Sequence, residues 1–206
     1  MLAVSGIADQ AALRDHIGPI SPLAERKVLP RLDAHCRRFI ELSPFLVMAT
    51  ADTEGNVDAS PRGDPPGFVR VIDDATLIIP DRPGNNRVDS FSNLLASPGV
   101  GLIFFVPGVD ETLRVNGVAR VTDDPALLSP SAIGAKQPRT GLAVEIREAF
   151  FHCGKALKRS RLWNADAQID RRSFPTLGRI IADQIGNISV ADADERIERA
   201  YTERLY

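Results

Sequence analysis

Cysteine is nearly missing from this chain, whose 206 residues hold only Cys36 and Cys153. The two form no Cys-x-x-Cys pair and belong to no cluster with metal-ligand spacing. That excludes a disulfide framework and a structural zinc site, and it points to a reducing compartment. Histidine is scarce as well, with only His16, His35 and His152. Charge of one sign is not in excess. A net charge of -2, with no run of like charges, leaves neither a basic face for a nucleic acid nor a charged tail. Long apolar runs are also wanting. The longest, 100–106, is broken only by Gly101 and falls far short of the roughly 20 residues of a spanning helix. The opening segment MLAVSGIADQAALRDHIG acquires acids within a few positions and has no apolar stretch of signal-peptide type. The expectation is a cytoplasmic protein with no membrane and no nucleic-acid partner.

Familiar catalytic signatures are missing too. There is no Walker loop, dinucleotide fingerprint or glycosidase-type carboxylate pair. His152 and Cys153 are adjacent, but neighbours on a strand point to opposite faces, which argues against a catalytic dyad.

What is present suits one globular domain, since 44% of the residues are hydrophobic and 25% charged. The chain divides into a helical start (1–42), a strand-rich middle (44–151) and a helical end (153–206). In the first part 8–17 reads as a helix. Ser21-Pro22 opens a second, which Pro30 interrupts or splits and Leu42-Ser43-Pro44 ends. In the middle, segments 45–50 and 56–59 flank the turn Asp52-Thr53-Glu54-Gly55, and 68–72 and 76–79 flank Asp73-Asp74, two hairpin patterns. Segment 101–106 is continuously apolar. In 112–121, Leu113, Val115, Ala119 and Val121 share one face, and Thr112, Arg114, Asn116 and Arg120 the other. With 141–151 this makes six or seven short strands, a barrel or sandwich pattern. Helices are expected at 86–96, 155–162, 177–185 and 191–205.

The stretch IPDRPGNNR, from Ile79 to Arg87, is unusual for a turn. It leaves a strand and enters a helix, and it carries two arginines that a surface turn does not require. A helix start offers unpaired N–H groups and the positive end of a dipole. Gly84 lets backbone approach a ligand, and Arg82 and Arg87 supply forked donors that match phosphate. These features define an anion site, most economically for phosphate. Taken alone, the stretch reads equally well as a solvated turn with an Asn cap. Two further stretches shift that balance. Ser60-Pro61-Arg62-Gly63-Asp64-Pro65-Pro66-Gly67 sets an arginine in a rigid, glycine-flanked context. Glu111-Thr112-Leu113-Arg114-Val115-Asn116-Gly117 places another on the polar face of a strand.

The order strand-Arg, PDRPGNNR before a helix, apolar strand, then ETLRVNG resembles the pyridoxamine 5'-phosphate oxidase-like superfamily of flavin-binding split barrels. The likeness runs from about Pro44 to Val121, and is nearer to a bacterial branch that carries those two signatures. The segment from Phe150 to Trp163 is similar to that branch as well. The resemblance implies a mainly β fold with attached helices (α+β), a six-stranded split β-barrel, and a homodimer holding FMN at the subunit interface. It places Arg62, with Gly63 beside it, near the flavin ring or its ribityl phosphate. Ile79, Pro80 and Asp81 would lie along the isoalloxazine edge. Asn86 and Arg87 take the positions of a basic pair that grips the phosphate, so one basic residue is replaced and Arg82 would compensate. Glu111, Thr112 and Arg114 fall where polar contacts come from the second subunit.

Within HCGKALKRSRLW two readings stand. Lys155, Arg159 and Ser160 add to phosphate or substrate binding with Trp163 covering the flavin, or the helix is a basic solvated face with Trp163 as its anchor. One departure matters. The Arg-x-His segment with which genuine pyridoxamine phosphate oxidases bind their substrate is absent, and the tail reads ERIERAYTERLY. This argues against vitamin B6 oxidation. Flavin chemistry requires no protein nucleophile, because the cofactor carries the hydride. The resulting expectation is an FMN-binding oxidoreductase acting on an unassigned small molecule. The alternatives are a flavin carrier or sensor, or a split barrel holding haem or a deazaflavin. Haem would ask for an axial ligand such as His152.

Overall fold

The computed structural model describes residues 6–206; the first five residues of the opening segment lie outside them. Three helices come first. In α1 (Gln10–Ile17) the Asp9 carboxylate caps the first turn by accepting from the Ala12 N–H. A short α2 (Pro22–Arg26) follows with Pro at its first turn. Pro30 does split the helical region, because α3 (Ala34–Leu42) restarts at Asp33, which accepts from the Cys36 N–H at 2.8 Å. That bond holds the Asp33 carboxyl below its ordinary value. The inner face of α3 buries Cys36, Phe39 and Ile40, and desolvation pushes the Cys36 thiol up to about 11. Such a thiol is an inert core side chain.

Seven strands form one antiparallel sheet: β1 (Phe45–Ala51), β2 (Val57–Gly63), β3 (Arg70–Val71), β4 (Thr76–Pro80), β5 (Gly99–Phe105), β6 (Thr112–Thr122) and β7 (Gly141–His152). Their order across the sheet is β2-β1-β5-β6-β7-β4-β3. Six strands are substantial; β3 is two residues long, where the sequence pattern suggested five. The shortening has a local cause. Gly67 sits at φ 85° and the Phe68 N–H closes a turn onto the Pro65 carbonyl, so only Arg70 and Val71 pair with β4.

The sheet curls so that alternate residues meet in one core. Leu46, Met48, Leu102, Phe104, Leu113 and Val115 point inward with at most 2% exposure. Between β6 and β7 the register shifts at Asn116/Gly117. A Cβ on Gly117 would collide with the Glu145 carbonyl, so the close approach at this bulge needs glycine. Thr112 shares the outward register of Arg114, yet it is buried at the start of β6 rather than solvated.

The barrel is split: no backbone ladder joins β2 to β4. Side chains bridge that gap, with Arg62 of β2 on Asp81 after β4 at 2.9 Å, and Arg82 on Asp64 after β2 at 2.6 Å. Helix α4 (Asp89–Ala96) lies between β4 and β5 in sequence and packs on β1, β2 and β6. After β6 come α5 (Pro125–Leu128) and, beyond β7, α6 (Lys155–Ser160). A hairpin of α7 (Leu177–Ile185) and α8 (Val190–Glu203) closes the chain. Among the described residues no helix is long and apolar enough to cross a membrane.

Candidate functional site

The gap between the two edges of the sheet opens into a cavity of about 530 Å³, within the 300–1,000 Å³ common for small-molecule sites. Its floor comes from β2. Register with β1 sets Asp58 opposite Thr50, Ser60 opposite Met48 and Arg62 opposite Leu46. The partners on β1 all face inward, so these three polar residues do too. Its far wall is the loop 81–88, anchored where the Asp81 N–H donates to the Thr140 carbonyl.

That loop is bent sharply. Asn86 and Val88 take left-handed backbone angles, φ 58° and 53°. For asparagine this is ordinary; for a β-branched valine it is a strained conformation of the kind found at ligand sites. Val88 then occupies the cap position of α4, and no side chain caps the first turn. The helix therefore begins at Asp89, three residues later than the sequence pattern suggested, and its first residues, Asp89, Ser90 and Phe91, line the cavity. Ser90 ties α4 to β2 by donating its hydroxyl to Asp58 at 2.6 Å.

Charge in the cavity is balanced, with three arginines (Arg62, Arg82, Arg87) and three aspartates (Asp58, Asp81, Asp89), but the arginines differ in freedom. Arg62 donates to Asp81, lies 5.5 Å from the Phe91 ring centroid, and keeps its buried Nε without a partner. An unsatisfied buried donor is costly. Arg82 is committed inside the chain, through Nε to Asp64 and through Nη2 to the Ser131 carbonyl at 2.9 Å. The compensating phosphate contact expected of it has to compete with both. Arg87 pairs with Asp89 at 2.7 Å, but its side chain is 72% exposed. An exposed pair of this kind is readily exchanged for a better anion.

Of the residues singled out in the sequence, Arg62, Gly63, Pro80, Asp81, Arg82, Asn86 and Arg87 line this cavity. Ile79 does not; its side chain is in the barrel core. Glu111 just before β6, Thr112 and Arg114 of β6, Lys155, Arg159 and Ser160 of α6, and Trp163 are also outside the lining. Arg114 stacks over Phe150 at 5.1 Å. Trp163 donates its indole N–H to the Val109 carbonyl at 2.9 Å, and the Ser160 hydroxyl donates to Leu157 of its own helix. Trp163 thus anchors the turn before β6 of its own chain. His152 ends β7, exposed and away from the cavity. Sequence reasoning missed Asp58, Ser60, Ser90 and Phe91, although the alternation Asp58-x-Ser60-x-Arg62 is a period-two pattern that could have revealed the polar floor.

A family model described as pyridoxamine 5'-phosphate oxidase matches residues 32–153. No curated protein matches the chain. Among solved structures, HupZ of Group A Streptococcus is 15% identical, covers 58% of this chain and 93% of its own, and gives a TM-score of 0.48. An FMN-binding protein from Syntrophomonas wolfei subsp. wolfei is 13% identical over 57% of this chain and 83% of its own, with a TM-score of 0.45. A Clostridium acetobutylicum protein related to general stress protein 26 is 12% identical over 57% of this chain and 85% of its own, with a TM-score of 0.43.

Proposed function

The chain belongs to the pyridoxamine 5'-phosphate oxidase family, and from that premise we propose that it binds FMN in the cavity between β2 and the loop 81–88 and works as a flavin-dependent oxidoreductase on a small molecule. The observation that carries this reading is the polar cavity itself, with Arg62, Arg82 and Arg87 in its lining, beside an uncapped helix start. The phosphate end of the ligand is assigned to Asn86, Arg87 and the first turn of α4, and its ring to the side of Arg62 and Asp81. A bound flavin supplies the electron and hydride transfer; the side chains here bind and orient it.

The second half of the proposal is a homodimer. On the outer face of the sheet, Phe45 pairs with Phe105, Val47 with Ile103, and Ile103 with Arg114. Phe45 is 39% exposed, and its ring stands 6.1 Å from that of Phe105. A second copy seated on this apolar face would draw Arg114 into the interface, the role expected of it from the resemblance. If so, flavin release on dilution should track dimer dissociation in sedimentation; flavin retained by a proven monomer would refute the shared site.

The deciding experiment is a visible spectrum of the purified protein, with the released ligand identified and NADH or NADPH then added. Flavin peaks, released as FMN and bleached by the nicotinamide, support the oxidoreductase. FMN that stays oxidised moves the assignment to a carrier or to another donor. Release of haem or a deazaflavin, or failure to take up FMN at all, overturns the cofactor assignment.

A further inference from the structure

The Asp64 carboxylate under Arg82 is only 1% exposed, yet Arg82 Nε engages just one of its oxygens. The other accepts from the Tyr206 hydroxyl at 2.7 Å, across 142 positions of sequence. The Tyr206 ring also lies over the Arg82 guanidinium, 5.7 Å from Cζ to centroid, and Lys136 Nζ donates to the Tyr206 carbonyl at 2.6 Å. Residues 201–205, which lead up to it, are all exposed, whereas Tyr206 is half-buried. It is therefore held by its own contacts rather than by the packing of α8.

One side chain thus completes a buried carboxylate and shields the cation paired with it. A buried carboxylate oxygen left without a donor is costly, and an ion pair opened to water is weaker and more easily screened by salt. Arg82 is in turn the second residue of the cavity's far wall. We propose that Tyr206 is a positioning residue of the candidate site. By satisfying Asp64 and covering Arg82 it fixes the loop 81–88 against the end of β2, and so sets the wall against which a phosphate-bearing ligand rests. The ligand half of this statement rests on the flavin reading; the positioning half does not.

The test compares the full chain with Tyr206→Phe, which keeps the ring and loses the donor, and Tyr206→Ala, which loses both. Hydrogen exchange is measured without ligand, and FMN titration is carried out at low and high salt. In Tyr206→Ala, amides of 81–88 should exchange about tenfold faster while those of β5, β6 and β7 keep their rates. FMN should bind about five- to tenfold more weakly, with a steeper salt dependence. Tyr206→Phe should fall between, near threefold. Unchanged exchange at 81–88 in both variants, or acceleration spread equally over the barrel, would overturn the positioning role. FMN binding equal in all three proteins despite faster loop exchange would overturn its bearing on the ligand. Should the parent protein take up no FMN while the exchange difference persists, the flavin reading falls and the positioning role stands.

Discussion

Two sides of the same barrel interior differ in kind. Along β5 and β6, Leu102, Phe104, Leu113 and Val115 face inward at no more than 2% exposure, and backbone ladders join β5, β6 and β7. Across from them β2 directs Asp58, Ser60 and Arg62 into the same interior, and the Arg62–Asp81 and Arg82–Asp64 bridges span the gap to the loop after β4. Stability resides in the dry wall, where apolar burial is complete. The seam, which gives up that burial, gains polar groups directed at a space. The separation teaches that site and core can be perturbed independently.

The largest test of that independence is Leu113→Ala. It should lower the unfolding free energy by about 2–5 kcal/mol in a denaturant titration, while flavin affinity of the folded fraction stays the same. A matching loss of affinity would show that wall and seam are one unit. The converse substitution, Arg87→Ala, should weaken FMN binding about 10- to 100-fold, the worth of a charge-assisted contact to phosphate, and leave the denaturation midpoint where it was. Flavin titration with unchanged affinity would sink the phosphate assignment at the loop.

A smaller effect sharpens the comparison within the seam itself. Val88→Gly removes the left-handed strain of a β-branched residue and should raise stability by up to about 1 kcal/mol, with weaker flavin binding because the loop is less fixed. No gain in thermal stability would mean that the strain is relieved elsewhere. The smallest effect is with pH. The hydrogen bond to Asp64, with burial, raises the Tyr206 phenol above its ordinary value of 10.0. Its stabilising contribution is therefore complete below pH 10 and disappears as pH rises through the higher folded value. Absorbance titration of the phenol should show the late ionisation, and Tyr206→Phe should abolish it; a phenol titrating at its ordinary pH would contradict the contact.

Much of the wall was legible in the sequence, because alternation writes burial directly. Leu113, Val115 and Ala119 face inward as their spacing indicates; of the apolar run in β5, Val100, Leu102 and Phe104 lie in the core while Ile103 and Phe105 face outward. Thr112 departs from the pattern since burial at a strand end depends on what folds over it. The loop composition announced the cavity: Arg62 and the segment from Pro80 to Arg87 meet there. What spacing could not state is which arginine is already occupied. Arg82 finds Asp64 and Ser131 only once the barrel has curled, and Tyr206 lies past the end of α8, where no pattern points to Asp64. The left-handed Val88 was hidden for the opposite reason, since local preference argues against valine there.

The span of these contacts carries a consequence for assembly. Arg62 and Asp81, like Arg82 and Asp64, are fewer than 20 positions apart, so both bridges can form as soon as β2 and β4 are in place. The Tyr206 contact needs Asp64, Arg82 and Lys136 already gathered. Contacts of long span close late in folding. The cavity is thus outlined by neighbours close in sequence and fastened by a distant residue, so a barrel that lacked the last contact would be folded but loose at one wall.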